Sequence, residues 1–190
     1  MAQPSRVALP GHRAPAVGLE APFEMLVACH ERVQRSLNLM GRLQQHLHDK
    51  GLDDDARQAA RDVLRYFDRA APLHHQDEEL HVFPPLLAGP DADLHAVVRK
   101  LMQDHLHMEQ AWAQARLVLQ GVAEGTPATW QALTPTQTAL LDHFASLYGQ
   151  HIQDEERIVY PAAQTVVQGD TLQAMIQDMA RRRGAKVPGQ

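Results

Sequence analysis

Apolar residues fall into helical register from Phe23 onward. Phe23, Leu26, Val33, Leu37, Met40 and Leu47 recur in steps of three and four once His30 is counted among them, with Gln44 the interruption. That period marks one buried helix face. A second stretch carries Val63, Leu64 and Phe67 toward His74 and Glu78 on one face. A third steps through Val98, Leu101, His105, Met108, Trp112, Ala115, Leu119 and Val122 without a break. A fourth runs Leu140, Phe144, Leu147, His151, Glu155, Ile158 and Ala162.

Residues that start and stop helices punctuate these stretches. Pro22 suits a first turn and Gly51 a C-terminal cap. Asp53, Asp54 and Asp55 offer an N-cap and an acidic first turn to the second helix, which Pro84-Pro85 and Gly89-Pro90 close. Asp91 or Asp93 opens the third, and Thr134-Pro135 reads as N-cap and first residue of the fourth. Gly169-Asp170 sets off a short last helix, whose dipole Arg181, Arg182 and Arg183 complement. Pro72 lies inside the second helix and predicts a kink there. No stretch alternates with period two, so no sheet is expected. Short loops force antiparallel neighbours. The predicted fold is all-α: an up-down-up-down four-helix bundle over residues 20–168, with an irregular N-terminal arm over 1–19 and a short C-terminal helix and tail over 169–190.

An internal repeat lies on this pattern. His74-His75-Gln76-Asp77-Glu78-Glu79-Leu80-His81-Val82-Phe83-Pro84 returns 77 residues later as His151-Ile152-Gln153-Asp154-Glu155-Glu156-Arg157-Ile158-Val159-Tyr160-Pro161. In each copy a His is followed four residues on by a Glu. On a helix that spacing puts both on one face, with Cβ atoms about 5–6 Å apart. A single such pair is common on solvated faces, but two in matching context, both on the inner face, call for a shared cause. His75 and Glu79 offer an alternative register, which the second copy disfavours by placing Ile152 opposite His75.

The four seams together carry His30, His74, Glu78, His105, His151 and Glu155, with Glu109 four residues beyond His105. Each ionised carboxylate buried alone costs several kcal/mol. Metal ions offer the natural compensation, and mixed imidazole–carboxylate sites with open positions suit iron. Glu109 is expected either as a ligand or as a carboxylate orienting an imidazole. Tyr148 and Trp112 are expected to pack.

Composition narrows the function. A net charge of −5 without a basic stripe argues against nucleic acid. The single cysteine, Cys29, excludes an internal disulfide framework and a thiolate zinc site. No apolar run reaches the roughly 20 residues of a membrane span, nor is there a signal-peptide core, so a cytoplasmic protein is expected.

The order of His on the first helix, HxxxE followed by Phe83-Pro84 on the second, His on the third and HxxxE on the fourth resembles the hemerythrin-like (HHE cation-binding) family over residues 20–165. The resemblance implies an antiparallel bundle holding two Fe ions, a non-haem di-iron centre with an oxo or hydroxo bridge. It implies His30, His74, Glu78, His105, His151 and Glu155 as ligands, with Glu78 and Glu155 bridging. It also implies a protein that binds or senses O2, NO or peroxide, or an enzyme of peroxidase, catalase-like or ferroxidase type. Oxygen-carrying members have HxxxH on the third helix and HxxxxD on the fourth, where this chain has Glu109 and HxxxE. Extra carboxylate stabilises the ferric state, which argues against reversible O2 carriage.

Overall fold

The computed structural model describes Gly18 and residues 20–185. The arm expected over 1–19 lies almost wholly outside the described residues, as do 186–190. The described residues are helical, with no strand. They form α1 (Pro22–Lys50), α2 (Asp54–Asp77), α3 (Phe83–Leu87), α4 (Ala92–Glu124), α5 (Pro135–Ser146), α6 (Tyr148–Asp154), α7 (Tyr160–Val166) and α8 (Gly169–Arg182). A π-helical turn, Glu78–Val82, joins α2 to α3, and a second, Glu155–Val159, joins α6 to α7.

The caps read from the sequence are in place. Gly51 closes α1 at φ +79°, a conformation only glycine adopts without strain. Asp53 accepts from the Ala56 amide, and Asp91 from those of Asp93 and Leu94. Thr134 and Gln137 form a reciprocal capping box at the start of α5. The fourth helix breaks at Leu147, whose amide turns back to the Phe144 carbonyl.

Two apolar cores are stacked along the bundle. One contains Val33, Leu37, Phe67, Met108, Leu119, Leu141 and Phe144. The other contains Leu26, Val82, Phe83, Leu101, Val159, Met175 and Met179. Helix α1 runs from the second core to the first, α2 back, α4 forward again and α5–α7 back. That alternation is the up-down-up-down order, with α1 against α2, α2 against α4 and α4 against α5. Each of these strands of helix changes core at His30, at His74–Glu78, at His105 or at His151–Glu155, so the polar residues form one layer between two apolar ones.

Pro72 does not break its helix: α2 runs through it to Asp77. A departure from α geometry comes at Glu78 and Glu155, where the amides of Phe83 and Tyr160 reach back five residues to the Glu78 and Glu155 carbonyls. Pro84 and Pro161 follow immediately. In an α-helix each proline ring would meet the carbonyl four residues earlier and leave it unpaired. One extra residue in the turn absorbs that conflict, as π turns at functional sites do.

Helix α8 is fastened by charge as well as by apolar contact. Asp77 is fully buried and accepts from Arg182 at 2.6 Å and from both terminal nitrogens of Arg183. His81 meets Asp178 of α8 at 2.8 Å. Arg182 and Arg183 therefore serve a buried carboxylate of another helix, beyond the dipole of their own.

Candidate metal centre

The layer between the cores brings six of the sequence-predicted residues together. His30, His74, Glu78, His105, His151 and Glu155 are all buried, both glutamates completely. Glu109 is not among them. It is exposed, because the buried face of α4 continues from His105 through Met108 and Ala111, and the i+4 position turns outward.

Each buried glutamate faces imidazoles on both sides of the bundle. Glu78 places Oε1 3.5 Å from His74 Nε2 and Oε2 3.5 Å from His105 Nε2. Glu155 places Oε2 3.0 Å from His30 Nε2. Its Oε1 lies 3.0 Å from His151 Nε2 and 3.8 Å from His105 Nε2. The donor atoms gather in two groups, each within 4.8 Å: His30, His74, Glu78 and Glu155 in one, His75, His105 and His151 in the other.

The outer nitrogens decide what the inner ones can do. His30 Nδ1 donates to Glu156 at 2.9 Å, His105 Nδ1 to Glu79 at 2.8 Å and His151 Nδ1 to Asp104 at 3.4 Å. A carboxylate only accepts, so the proton of each neutral ring sits on Nδ1 and Nε2 presents a lone pair inward. His105 Nε2, His151 Nε2, Glu78 Oε2 and both Glu155 oxygens are buried without a hydrogen-bond partner. Lone pairs facing carboxylate oxygens at these distances repel; a cation between them turns repulsion into coordination. The donor set fits a first-row metal with mixed imidazole and carboxylate ligands, and the Nδ1 carboxylates are the partners that orient such imidazoles.

Protonation is the other way to relieve these contacts. Burial, then the charge of Glu155, pushes the Glu78 carboxyl well above its usual range. Burial opposes ionisation of Glu155 too, but His105, His151 and His30 outweigh it and hold that carboxyl well below the usual range. Burial lowers His74 and His75 well below the ordinary imidazole value. For His30 and His105 it is overcome by Glu155 with Glu156, and by Glu155 with Glu79, so both are raised.

Several residues of the site escaped the periodicity argument. Tyr160, matched by Phe83 in the other copy, donates its hydroxyl to Glu78 Oε1 and lies 3.2 Å from His30 Nε2, with its ring stacked on His30. Phe83 in turn stacks on His105. Glu79 and Glu156, the second Glu of each copy, bind the outer nitrogens. The signals were there: a Glu-Glu retained in both copies, and a hydroxyl added at one otherwise matched position. Tyr148 packs with Phe67 and Phe144, as expected, and Trp112 packs on the same rings while donating to Asp68.

Comparison with known proteins agrees with this arrangement. Residues 21–163 match the hemerythrin HHE cation binding domain. An uncharacterized protein of Haemophilus influenzae is 29% identical over 166 residues, which cover 87% of this chain and 91% of that protein. No helix among the described residues is long and apolar enough to cross a membrane. With its all-helical bundle and a His/Glu cluster able to hold metal, the chain belongs to the hemerythrin HHE cation-binding domain family.

Proposed function

We propose that this protein holds a non-haem di-iron centre on His30, His74, Glu78, His105, His151 and Glu155, and uses it to bind or sense O2, NO or peroxide. The observation that carries the reading is the pair of buried glutamates, each presenting one oxygen to each side of the layer. Two carboxylates so placed suit two neighbouring ions rather than one. Iron, when bound, supplies the affinity for small diatomic or peroxide ligands. The chain's residues fix the imidazole tautomers through Glu79, Glu156 and Asp104, exclude bulk water with apolar cores on both sides, and hold a phenolic proton at the Tyr160 hydroxyl.

Tyr160 favours a second reading, an enzyme that turns over peroxide or oxidises ferrous iron. Its hydroxyl on Glu78 is a buried proton source beside the centre, and a phenol there can also supply an electron. An electron supplied by the phenol would reduce bound O2 irreversibly, which argues against reversible O2 carriage. A surface cavity of about 250 Å³ lined by Phe23, Val27, Glu156 and Tyr160 lies beside the site, since Glu156 and Tyr160 both touch His30.

Metal analysis of protein from iron-supplemented cells, with its ultraviolet–visible spectrum, tests the reading. A pair of irons per chain with near-ultraviolet bands of a coupled ferric pair is expected. A folded protein that takes up no iron refutes it. Iron-dependent steady-state consumption of peroxide separates the enzyme from the binding protein.

A further inference from the structure

We infer that the groove between α1 and α2 is an anion site for a small soluble molecule bearing a diphosphate group, held by Arg32, Arg35, Arg65 and Arg69. The groove lies on the outer face of the helix pair and stands independently of the metal-centre reading.

Helical spacing builds the groove. Arg32 and Arg35 stand three residues apart on α1, and Arg65 and Arg69 four apart on α2, so each pair shares one face of its helix. The two helices pack side by side, and all four side chains border one cavity of about 470 Å³. That volume falls in the range of small-molecule sites, about 300–1,000 Å³. Tyr66 lines the same cavity, fixed by its hydroxyl, which donates to the Cys29 carbonyl at 3.1 Å. Burial pushes the Tyr66 phenol up, and the charges of Arg32 and Arg35 oppose that rise, as cations beside the ring do.

The protein itself answers only part of this charge. Arg65 pairs with Asp62 at 2.5 Å, and Arg35 with Glu31 at 3.6 Å. Arg32 reaches only the Cys29 sulfur, at 3.7 Å, and Arg69 makes no ion pair or hydrogen bond among the described residues. Four guanidiniums against two carboxylates leave a positive groove on a chain of net charge −5. Like charges around one cavity repel, and an anion between them turns repulsion into attraction. A guanidinium fork matches two oxygens of one phosphoryl group. One pair of forks on each wall suits two linked phosphoryl groups better than one. Among the described residues, none of the large apolar side chains left exposed lines the groove, so it lacks the apolar contact by which a surface helix enters a bilayer.

The test titrates inorganic pyrophosphate into the full chain by isothermal titration calorimetry, comparing wild type with Arg32→Gln, Arg69→Gln and Arg99→Gln. Arg99 is exposed on α4 and outside the groove, so its variant makes the same charge change elsewhere. Wild type and Arg99→Gln should bind alike. Each groove variant should bind about 10-fold more weakly or worse, the scale of one charge-assisted hydrogen bond. Any extraction of metal by pyrophosphate is common to all four proteins and leaves these differences untouched. Arg32 and Arg69 are exposed, circular dichroism checks that their variants fold, and either folded variant suffices. No binding by wild type at millimolar pyrophosphate overturns the inference, as does unchanged binding in a folded groove variant or equal weakening in Arg99→Gln. Sedimentation with phosphatidylglycerol vesicles without binding of pyrophosphate overturns it as well, and makes the patch a membrane contact.

Discussion

Replacing Asp77 with Ala tests how the short helix α8 is held on the bundle. Asp77 is completely buried, whereas the side chains of its partners Arg182 and Arg183 keep 17% and 20% of their exposure. Breaking a buried pair by removing one partner costs about 3–5 kcal/mol. The guanidiniums can swing toward water, which places Asp77→Ala at the lower end of that range. Converting Arg182 and Arg183 together to Leu strands the buried carboxylate and belongs at the upper end. Arg183→Leu alone leaves Asp77 paired with Arg182 and should cost only the lost charged hydrogen bonding, about 1.5–3 kcal/mol. For a chain of this size each kcal/mol moves Tm by roughly 2–4 °C, so Asp77→Ala should melt roughly 6–12 °C lower. Urea denaturation of the metal-free protein followed by circular dichroism gives the free energies. Amide exchange then shows whether Met175 and Met179 lose protection before the rest of the bundle. The reasoning is refuted if Asp77→Ala changes stability by less than about 1 kcal/mol while exchange in α8 is unaltered.

Other consequences are open to direct measurement. His74→Ala and His151→Ala should each lower metal content and metal-dependent thermal stability together, because coordination stabilises only the folded chain; full metal content in both would remove them from the ligand set. Glu79→Ala and Glu156→Ala, which free the outer nitrogens of His105 and His30, should weaken metal binding by about 10–100-fold without abolishing it, measured by chelator competition. Tyr160→Phe keeps the ring shape that Phe83 shows the bundle accepts, loses the hydrogen bond to Glu78, and should slow iron-dependent peroxide consumption while leaving metal content unchanged; an unaltered rate removes the phenol from the chemistry. Burial disfavours ionised Asp178, but His81, Arg182 and Arg181 outweigh it and hold its carboxyl well below the usual range. Its contribution is therefore complete above the unfolded value of about 3.9 and is lost as pH falls through the lower folded value. Asp178→Asn should flatten the acid limb of the stability–pH curve, and an identical limb would show that the pairing contributes nothing.

Most of the architecture was legible because it follows from period and punctuation. The seams through Leu26, Phe67, Leu101 and Phe144 are buried, and Asp53, Asp91 and Thr134 cap the helices they precede. The inner residues His30, His105 and the two HxxxE pairs were legible for the same reason: they stand where apolar residues belong. Glu109 misled because i+4 spacing alone does not fix the inward face; the buried path on α4 steps by three after His105, through Met108 and Ala111. Pro72 did not point to the wide turns. Its helix runs through it, and the π turns lie before Pro84 and Pro161, where each takes one extra residue. The partnership of Asp77 with Arg182 and Arg183 joins residues more than a hundred positions apart, and no local period encodes it.

The internal repeat separates scaffold from chemistry. The elements both copies share build a frame: the His–Glu pair, the second Glu for an outer nitrogen, the valine in the apolar core and the proline that forces the wide turn. A frame repeated in this way would by itself make both sides of the layer alike. The differences break that equivalence, and two of them bear directly on the site: His75 against Ile152 adds an imidazole on one side, and Tyr160 against Phe83 adds a hydroxyl on the other. A third difference lies in what matched residues meet, since Asp77 is buried under the arginines of α8 while Asp154 pairs with Lys100. The repeat thus sets two groups of possible metal ligands side by side in one layer. The single changes place an extra imidazole, His75, beside His105 and His151 in one copy and a hydroxyl, Tyr160, on Glu78 in the other, so the two sides of the layer differ chemically although their frames match.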